Sequence, residues 1–210
     1  ARYQAPKYTR AFYEPEPLFS AYAQDVEVNE NLDGFEYDPD RNVWVKRLDM
    51  LLHPVTYIYL PQIILHNNHN KIVNVDGSGN LSGMARTVVL NSGYAGSDPI
   101  TVNFNLRFKP NCDKDGESVD IIGGRLMTFG MCNQNPRTIK SYTEVKDSLK
   151  HFLDVTMQFN NGIDSTFVFD MTDEVRRKYK GGVLTIELDM DTIPVPTRSA
   201  GSAFDAVVKD

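Results

Sequence analysis

The sequence predicts an all-β protein, an antiparallel β-sandwich of about seven strands with one short helix. Three observations predict it. Apolar and polar residues alternate with a period of two, most clearly over Thr101–Lys109, where Val102, Phe104, Leu106 and Phe108 share one face and Asn103, Asn105 and Arg107 the other. Asn- and Gly-containing turn signals separate the alternating runs. Composition points the same way: 10 Tyr and 11 Phe accompany many Val and Thr, residues that suit a pleated, half-buried surface, while abundant Asp and Asn favour turns over helix interiors.

The elements follow in order. Residues 1–40 read as a lead-in: Pro6, Pro15, Pro17 and Pro39 punctuate them, and Glu27–Asp38 is acidic and poor in apolar residues, a solvated connection. Within them only Leu18–Ala23 suggests a short edge strand. Residues 41–210 form the predicted sandwich domain. Val43–Met50 opens it as a strand, and Val55–Leu65 makes a long second one. Pro61 interrupts that run and, lacking a ladder donor, belongs at a sheet edge or a bulge. Gly77–Gly83 reads as a flexible or bulged connection, and Met84–Leu90 as a strand ending at Asn91-Ser92-Gly93.

Beyond Thr101–Lys109, Asp113-Lys114-Asp115-Gly116 turns the chain into a returning strand over Val119–Phe129, bulged at Gly123-Gly124. Leu153, Val155, Met157 and Phe159 alternate up to Asn160-Asn161-Gly162, a hairpin turn in which Asn-Gly accepts positive φ. Ser165–Phe169 is its partner strand. Thr172–Tyr179 is the one helix, with Thr172 placed to cap, acidic residues in the first turn and basic ones in the last. Gly181-Gly182 stops it, Leu184, Ile186 and Leu188 form a closing strand, and a tail ends Ala203-Phe204-Asp205-Ala206-Val207-Val208.

Charge excludes some functions. The 210 residues carry a formal net charge of −6, against the clustered Lys and Arg that nucleic-acid binding rests on. No apolar run approaches the ~20 residues of a membrane-spanning helix.

No catalytic constellation emerges, and the chain reads as a non-enzyme without a cofactor. His66 and His69 stand three apart in a loop near Asp76, short of the converging ligands and supporting shell a metal needs; an exposed hairpin loop is the simpler reading. Asp113-Lys114-Asp115-Gly116 with Asp120 lacks the terminal glutamate of a calcium loop. Gly77–Gly83 matches no phosphate-binding motif. Cys112 and Cys132 fall near opposite ends of one predicted hairpin, about ten residues at ~3.3 Å apart, which argues against a disulfide without deciding it. Trp44, Tyr57 and Tyr59 are candidates for a sugar-stacking face, though core packing explains them as well.

Several short motifs then recur in an order that resembles one family. They are Tyr13-Glu14-Pro15-Glu16-Pro17-Leu18-Phe19, Leu81-Ser82-Gly83-Met84-Ala85, Leu126-Met127-Thr128-Phe129-Gly130, Phe169-Asp170-Met171-Thr172-Asp173-Glu174-Val175 and Ile193-Pro194-Val195-Pro196. Together they resemble the fimbrial anchor and accessory lipoproteins of Bacteroidetes (FimB/Mfa-like fimbrillin-associated proteins, some of unknown function). Arg198–Ala203 departs from the family's glycine-rich stretch before the last strand.

The resemblance implies a transthyretin-like or immunoglobulin-like sandwich, the second of two such domains, in a lipoprotein displayed on the outer membrane. It implies that a preceding domain and a lipid-bearing cysteine are missing from a truncated or proteolysed chain, so that membrane attachment runs only through that absent N-terminal lipid. The expected partners are other fimbrial subunits or host surface molecules, engaged through a strand edge. Phe204, Ala206 and Val208 of the tail, or the edge near Pro61, are the candidate contact residues. A module for glycan or another host polymer, using loops around Asn67–Asn70 and Asn91–Asp98, is the alternative.

Overall fold

The computed structural model describes residues 11–27 and 30–197. Five short strands come first: β1 (Ala11–Tyr13), β2 (Phe19–Ser20), β3 (Glu36–Asp38), β4 (Val43–Val45) and β5 (His53–Pro54). The long strands follow, β6 (Tyr57–His66) and β7 (Ile72–Ala85), then short β8 (Val88–Val89) and β9 (Tyr94–Ala95), then β10 (Pro99–Lys114) and β11 (Glu117–Gly124). The chain closes with β12 (Leu126–Thr128), β13 (Phe152–Phe159), β14 (Asp164–Asp170), helix α1 (Thr172–Arg177) and β15 (Gly182–Asp189).

The all-β sandwich is what the chain forms, and β10 belongs to both of its layers. Its first half pairs with β7, which pairs in turn with β13 and that with β14. Its second half pairs with β11, and β11 with β6. A register shift between Lys109 and Cys112 marks the bulge in that second half, and Asn111 supplies its left-handed residue at φ 53°. Strand β12 continues the ladder on β6 where β11 leaves it, and β15 covers the other side of β6. One cluster of buried side chains, running from Tyr57 to Met190, fills the space between the layers. Val102, Phe104 and Leu106 enter it from β10, Leu153, Val155, Met157 and Phe159 from β13, and Leu184, Ile186 and Leu188 from β15. These are the faces that the period-two pattern assigned inward. Residues 11–54 contribute nothing to the cluster among the described residues.

Among the described residues most pairings are antiparallel, but two are not. Strand β15 runs parallel to β6 over eight residues, because the β14–α1–β15 connection crosses from one layer to the other. Strand β1 runs parallel to β10 over three residues.

Other expectations need correcting. Pro61 is not at an edge: β6 has β15 on one side (Leu184 opposite Pro61) and β11 and β12 on the other. The β11–β12 ladder is interrupted at Gly124 and Arg125, the residues in register with Pro61 and Leu60, and the proline lies at that gap. Gly77–Gly83 is not a connection but the middle of β7, a 14-residue strand at the heart of its layer. Gly79 is there because a Cβ would stand 2.7 Å from Leu106 Cδ1 and 3.0 Å from Phe104 Cζ, so two large side chains cross over it. The strand expected over Met84–Leu90 is instead the end of β7 and the two residues of β8, and that expected over Val43–Met50 stops at Val45. Thr172 is the first helical residue and does not cap; Met171 holds that position without a side-chain bond. Phe204, Ala206 and Val208 lie outside the described residues.

Candidate functional site

Four places bring chemistry-bearing residues together. The first is the edge made by β1. Ala11, Phe12 and Tyr13 align with Thr101, Val102 and Asn103 of β10. Three contacts seat the segment: the Glu14 carboxylate accepts the Met127 N–H at 2.8 Å and the Arg125 guanidinium at 3.4 Å, and the Arg86 guanidinium lies 5.2 Å from the centre of the Phe12 ring. All three β1 side chains are exposed, Tyr13 by 89%. Phe12 and Tyr13 border a hollow of about 190 Å³, lined mostly by apolar surface from Pro15, Ile100, Val102 and Phe129, with Arg86 and Thr128 also at its wall. A three-residue ladder beside an unfilled, mostly apolar hollow is a weak closure compared with the eight-residue pairing of β15 on β6.

The second place is a larger cavity of about 440 Å³ between the β2 and β5 segments, reached by Tyr22, Asp49, Met50, His53, Asn91 and Arg137. Arg137 ties its walls together: one guanidinium nitrogen donates to Ser20 Oγ at 2.7 Å and to the His53 carbonyl at 3.5 Å, while Gly93 makes room, since a Cβ there would stand 2.5 Å from Arg137 Nε.

The third is the hairpin of β3 and β4, which among the described residues pair only with each other. Tyr37 lies directly opposite Trp44, so both rings share one face, with centroids 5.4 Å apart and planes inclined at 55°.

The fourth is a sealed polar knot where the crossover after β12 meets the sheet. His151, fully buried, places Nε2 2.5 Å from the Asp147 carboxylate and Nδ1 3.1 Å from the Ser82 carbonyl. Both partners accept, so the ring serves both only when each nitrogen carries a proton. The Ser82 hydroxyl accepts the Phe152 N–H, and the Thr172 hydroxyl accepts the His151 N–H. Thr172 in turn donates its N–H and hydroxyl to Asp170. Burial pushes the Asp170 carboxyl up, but these bonds and Lys150 outweigh it and leave it below the ordinary aspartate range. The Asp147 side chain is 2% exposed, so the His–Asp pair reaches no substrate; it fastens a loop.

The remaining sequence candidates separate. His66 sits between two carboxylates, 3.2 Å from Glu117 and 3.2 Å from Glu187, and His69 lies 4.0 Å from Asp191; the two imidazoles have different partners. The Lys114 ammonium bonds Glu187 and, over a small opposing burial, holds its carboxyl below the usual range with help from His66. Among the described residues no three His, Cys, Asp or Glu side chains are placed to hold a metal ion. Cys112 and Cys132 are both free, and burial pushes the Cys132 thiol up to about 12. Asp113 and Lys114 end β10, and the turn to β11 is made by Asp115 and Gly116, both at positive φ. Tyr57 and Tyr59 belong to the core, so of the three aromatics considered for sugar stacking only Trp44 is exposed. In the Asn67–Asn70 loop, Asn68 is buried and bonded to Ile72 and Asp120, and Asn67 donates to Asp189.

Tyr37, Glu14 and Arg137 were not singled out by sequence. Tyr37 was legible: Pro39-Asp40 is a turn signal, and folding about it sets Tyr37 against Trp44. Glu14 and Arg137 act across separations of 113 and 117 residues, which no local pattern reports.

No protein-family model and no curated protein matches the sequence. Among solved structures, the crystal structure of a "putative adhesin" from Bacteroides ovatus is similar at 14% identity and a TM-score of 0.46, over 84% of this chain and 59% of that one. This chain therefore spans less than two thirds of that protein's length, and a likeness at this level assigns neither fold nor function to it.

Proposed function

We propose that the chain is a non-enzymatic domain of a cell-surface lipoprotein, an anchor or accessory subunit of a fimbria-like assembly, which works in adhesion or assembly by taking a β-strand from a neighbouring subunit. The β1 edge carries this reading. Three exposed residues close the β10 edge beside an unfilled, mostly apolar hollow, and an extended segment from another chain, placed along Thr101–Asn103, keeps the main-chain bonds and adds side chains that fill the space. Two further edges support it: among the described residues β14 pairs only with β13, and β15 only with β6. The tail residues Phe204, Ala206 and Val208 are sequence candidates for the strand that is given.

The test compares the intact chain with one lacking residues 1–13, using a fluorescent peptide of residues 11–17 as the incoming strand. The shortened chain takes up the peptide saturably and the intact chain does not. A shortened chain that still melts cooperatively yet ignores the peptide overturns the proposal. Surface display is checked separately, by protease accessibility of the protein on intact cells.

A further inference from the structure

Among the described residues the hairpin of β3 and β4 pairs with neither layer and contributes nothing to the core, and it holds the chain's single tryptophan. Its tip is built firmly: Asp38 Oδ1 accepts the N–H groups of Asp40 at 3.0 Å and Arg41 at 3.2 Å, and Asn42 turns the chain at φ 54°. The Tyr37 hydroxyl donates to Asn42 Oδ1 at 2.5 Å, which fixes the phenol and sets the amide beside it. Even so, Tyr37 remains 48% and Trp44 52% exposed. Their centroids lie 5.4 Å apart and their planes meet at 55°.

The surroundings narrow what these rings receive. Between Asp25 and Arg47 the sequence carries seven carboxylates against the three cations Arg41, Lys46 and Arg47, a net charge of −4 that disfavours sulfated, sialylated or phosphorylated ligands and nucleic acid. A stable protein partner needs roughly 20–30 residues a side, more than a hairpin spanning Glu36–Val45 offers. A flat, uncharged ring with apolar C–H faces and a hydroxyl rim fits: the faces lie on tryptophan and tyrosine, and the Asn42 amide meets the rim. We infer that Tyr37, Trp44 and Asn42 form a binding site for a neutral pyranose oligosaccharide. The inference rests on the hairpin alone and is independent of strand uptake at β1.

Because Trp44 is the only tryptophan, its emission reports the site directly. The intact chain is titrated with cellohexaose, mannohexaose and chitohexaose, with sialyllactose as the anionic comparison. A saturable blue shift or intensity change with at least one neutral sugar, and none with sialyllactose, is the expected result. Tyr37→Ala weakens that binding by about tenfold or more, and Trp44→Ala abolishes it by calorimetry without shifting the melting of the sandwich. Since the two rings also hold the hairpin together, Tyr37→Phe serves as the second variant: it keeps the ring and retains binding. No saturable change with any neutral sugar at millimolar concentration, equal response to sialyllactose, or binding untouched by Tyr37→Ala each overturns the inference.

Discussion

Gly83→Ala tests the buried knot by adding one methyl group. Gly83 takes φ +81°, and a Cβ there would stand 2.7 Å from His151 Nδ1 and 2.7 Å from the Lys150 carbonyl oxygen. The left-handed backbone alone costs a non-glycine residue roughly 1–2 kcal/mol. The carbonyl cannot rotate away as a side chain would, so the ring and its strand must shift. That shift removes the bond from His151 to the Ser82 carbonyl, leaving a buried acceptor unmet at about 1–3 kcal/mol. The sum, about 2–5 kcal/mol, is a large part of the ~5–15 kcal/mol that holds a domain folded. At roughly 2–4 °C per kcal/mol the melting temperature falls by about 10 °C. Thermal melting by far-ultraviolet circular dichroism reads it, with Gly77→Ala as the matched control, since Gly77 is exposed in the same strand and has no atom within 4 Å of its would-be Cβ. Gly83→Ala melting like Gly77→Ala would refute the reasoning.

Three further outcomes follow from the same structure. His151→Ala removes the imidazole from Asp147 Oδ2, in a side chain 2% exposed that keeps the Leu149 N–H on Oδ1, and from the Ser82 carbonyl; a loss of about 3–5 kcal/mol in urea unfolding is expected. Asp170, Glu174, Glu187 and Asp189 are all held below their ordinary values, Glu174 chiefly by the Lys178 bond and Asp189 chiefly by the Asn67 amide. A carboxyl whose folded pKa is lowered contributes stability above its unfolded value and loses it as pH falls through the folded one, so melting should be level near neutrality and decline below about pH 4. High salt weakens the contributions of exposed Glu187 and Asp189. The buried Cys132 thiol, pushed up to about 12, stays unmodified by iodoacetamide in the folded chain at mildly alkaline pH and reacts only after unfolding, while partly exposed Cys112 reacts throughout; mass spectrometry of the alkylated chain distinguishes them.

What the sequence revealed, it revealed through local rhythm. Val102, Phe104 and Leu106, like Leu153 to Phe159, alternate because one face of each strand is dry, and those side chains are in the core. Asn160-Asn161-Gly162 is a tight turn because Gly162 takes φ +76°, and α1 ends before Gly181 at φ +87°. Where the reading failed, long-range packing had overridden a local signal. Glycines from Gly77 to Gly83 look like a loop, yet Gly79 lets Leu106 and Phe104 cross β7, and Gly83 admits His151. Pro61 looks like an edge because it gives no N–H, but a gap in the neighbouring ladder accommodates it in an interior strand. Thr172 looks like a cap, but its hydroxyl is taken by Asp170 and the His151 N–H. Of the candidate sites, Trp44 was visible and its ring partner inferable; the seat of β1 on Met127 through Glu14 spans 113 residues and has no local trace.

Hydrogen–deuterium exchange of the intact chain tests most directly the claim that β1 is a replaceable closure. Amides of residues 11–14 and the facing Thr101–Asn103 edge should exchange through local opening, well ahead of β6 and β13, whose side chains fill the core. Protection of residues 11–14 equal to that of β13 would mean that the edge opens only when the whole domain unfolds, and would contradict the account.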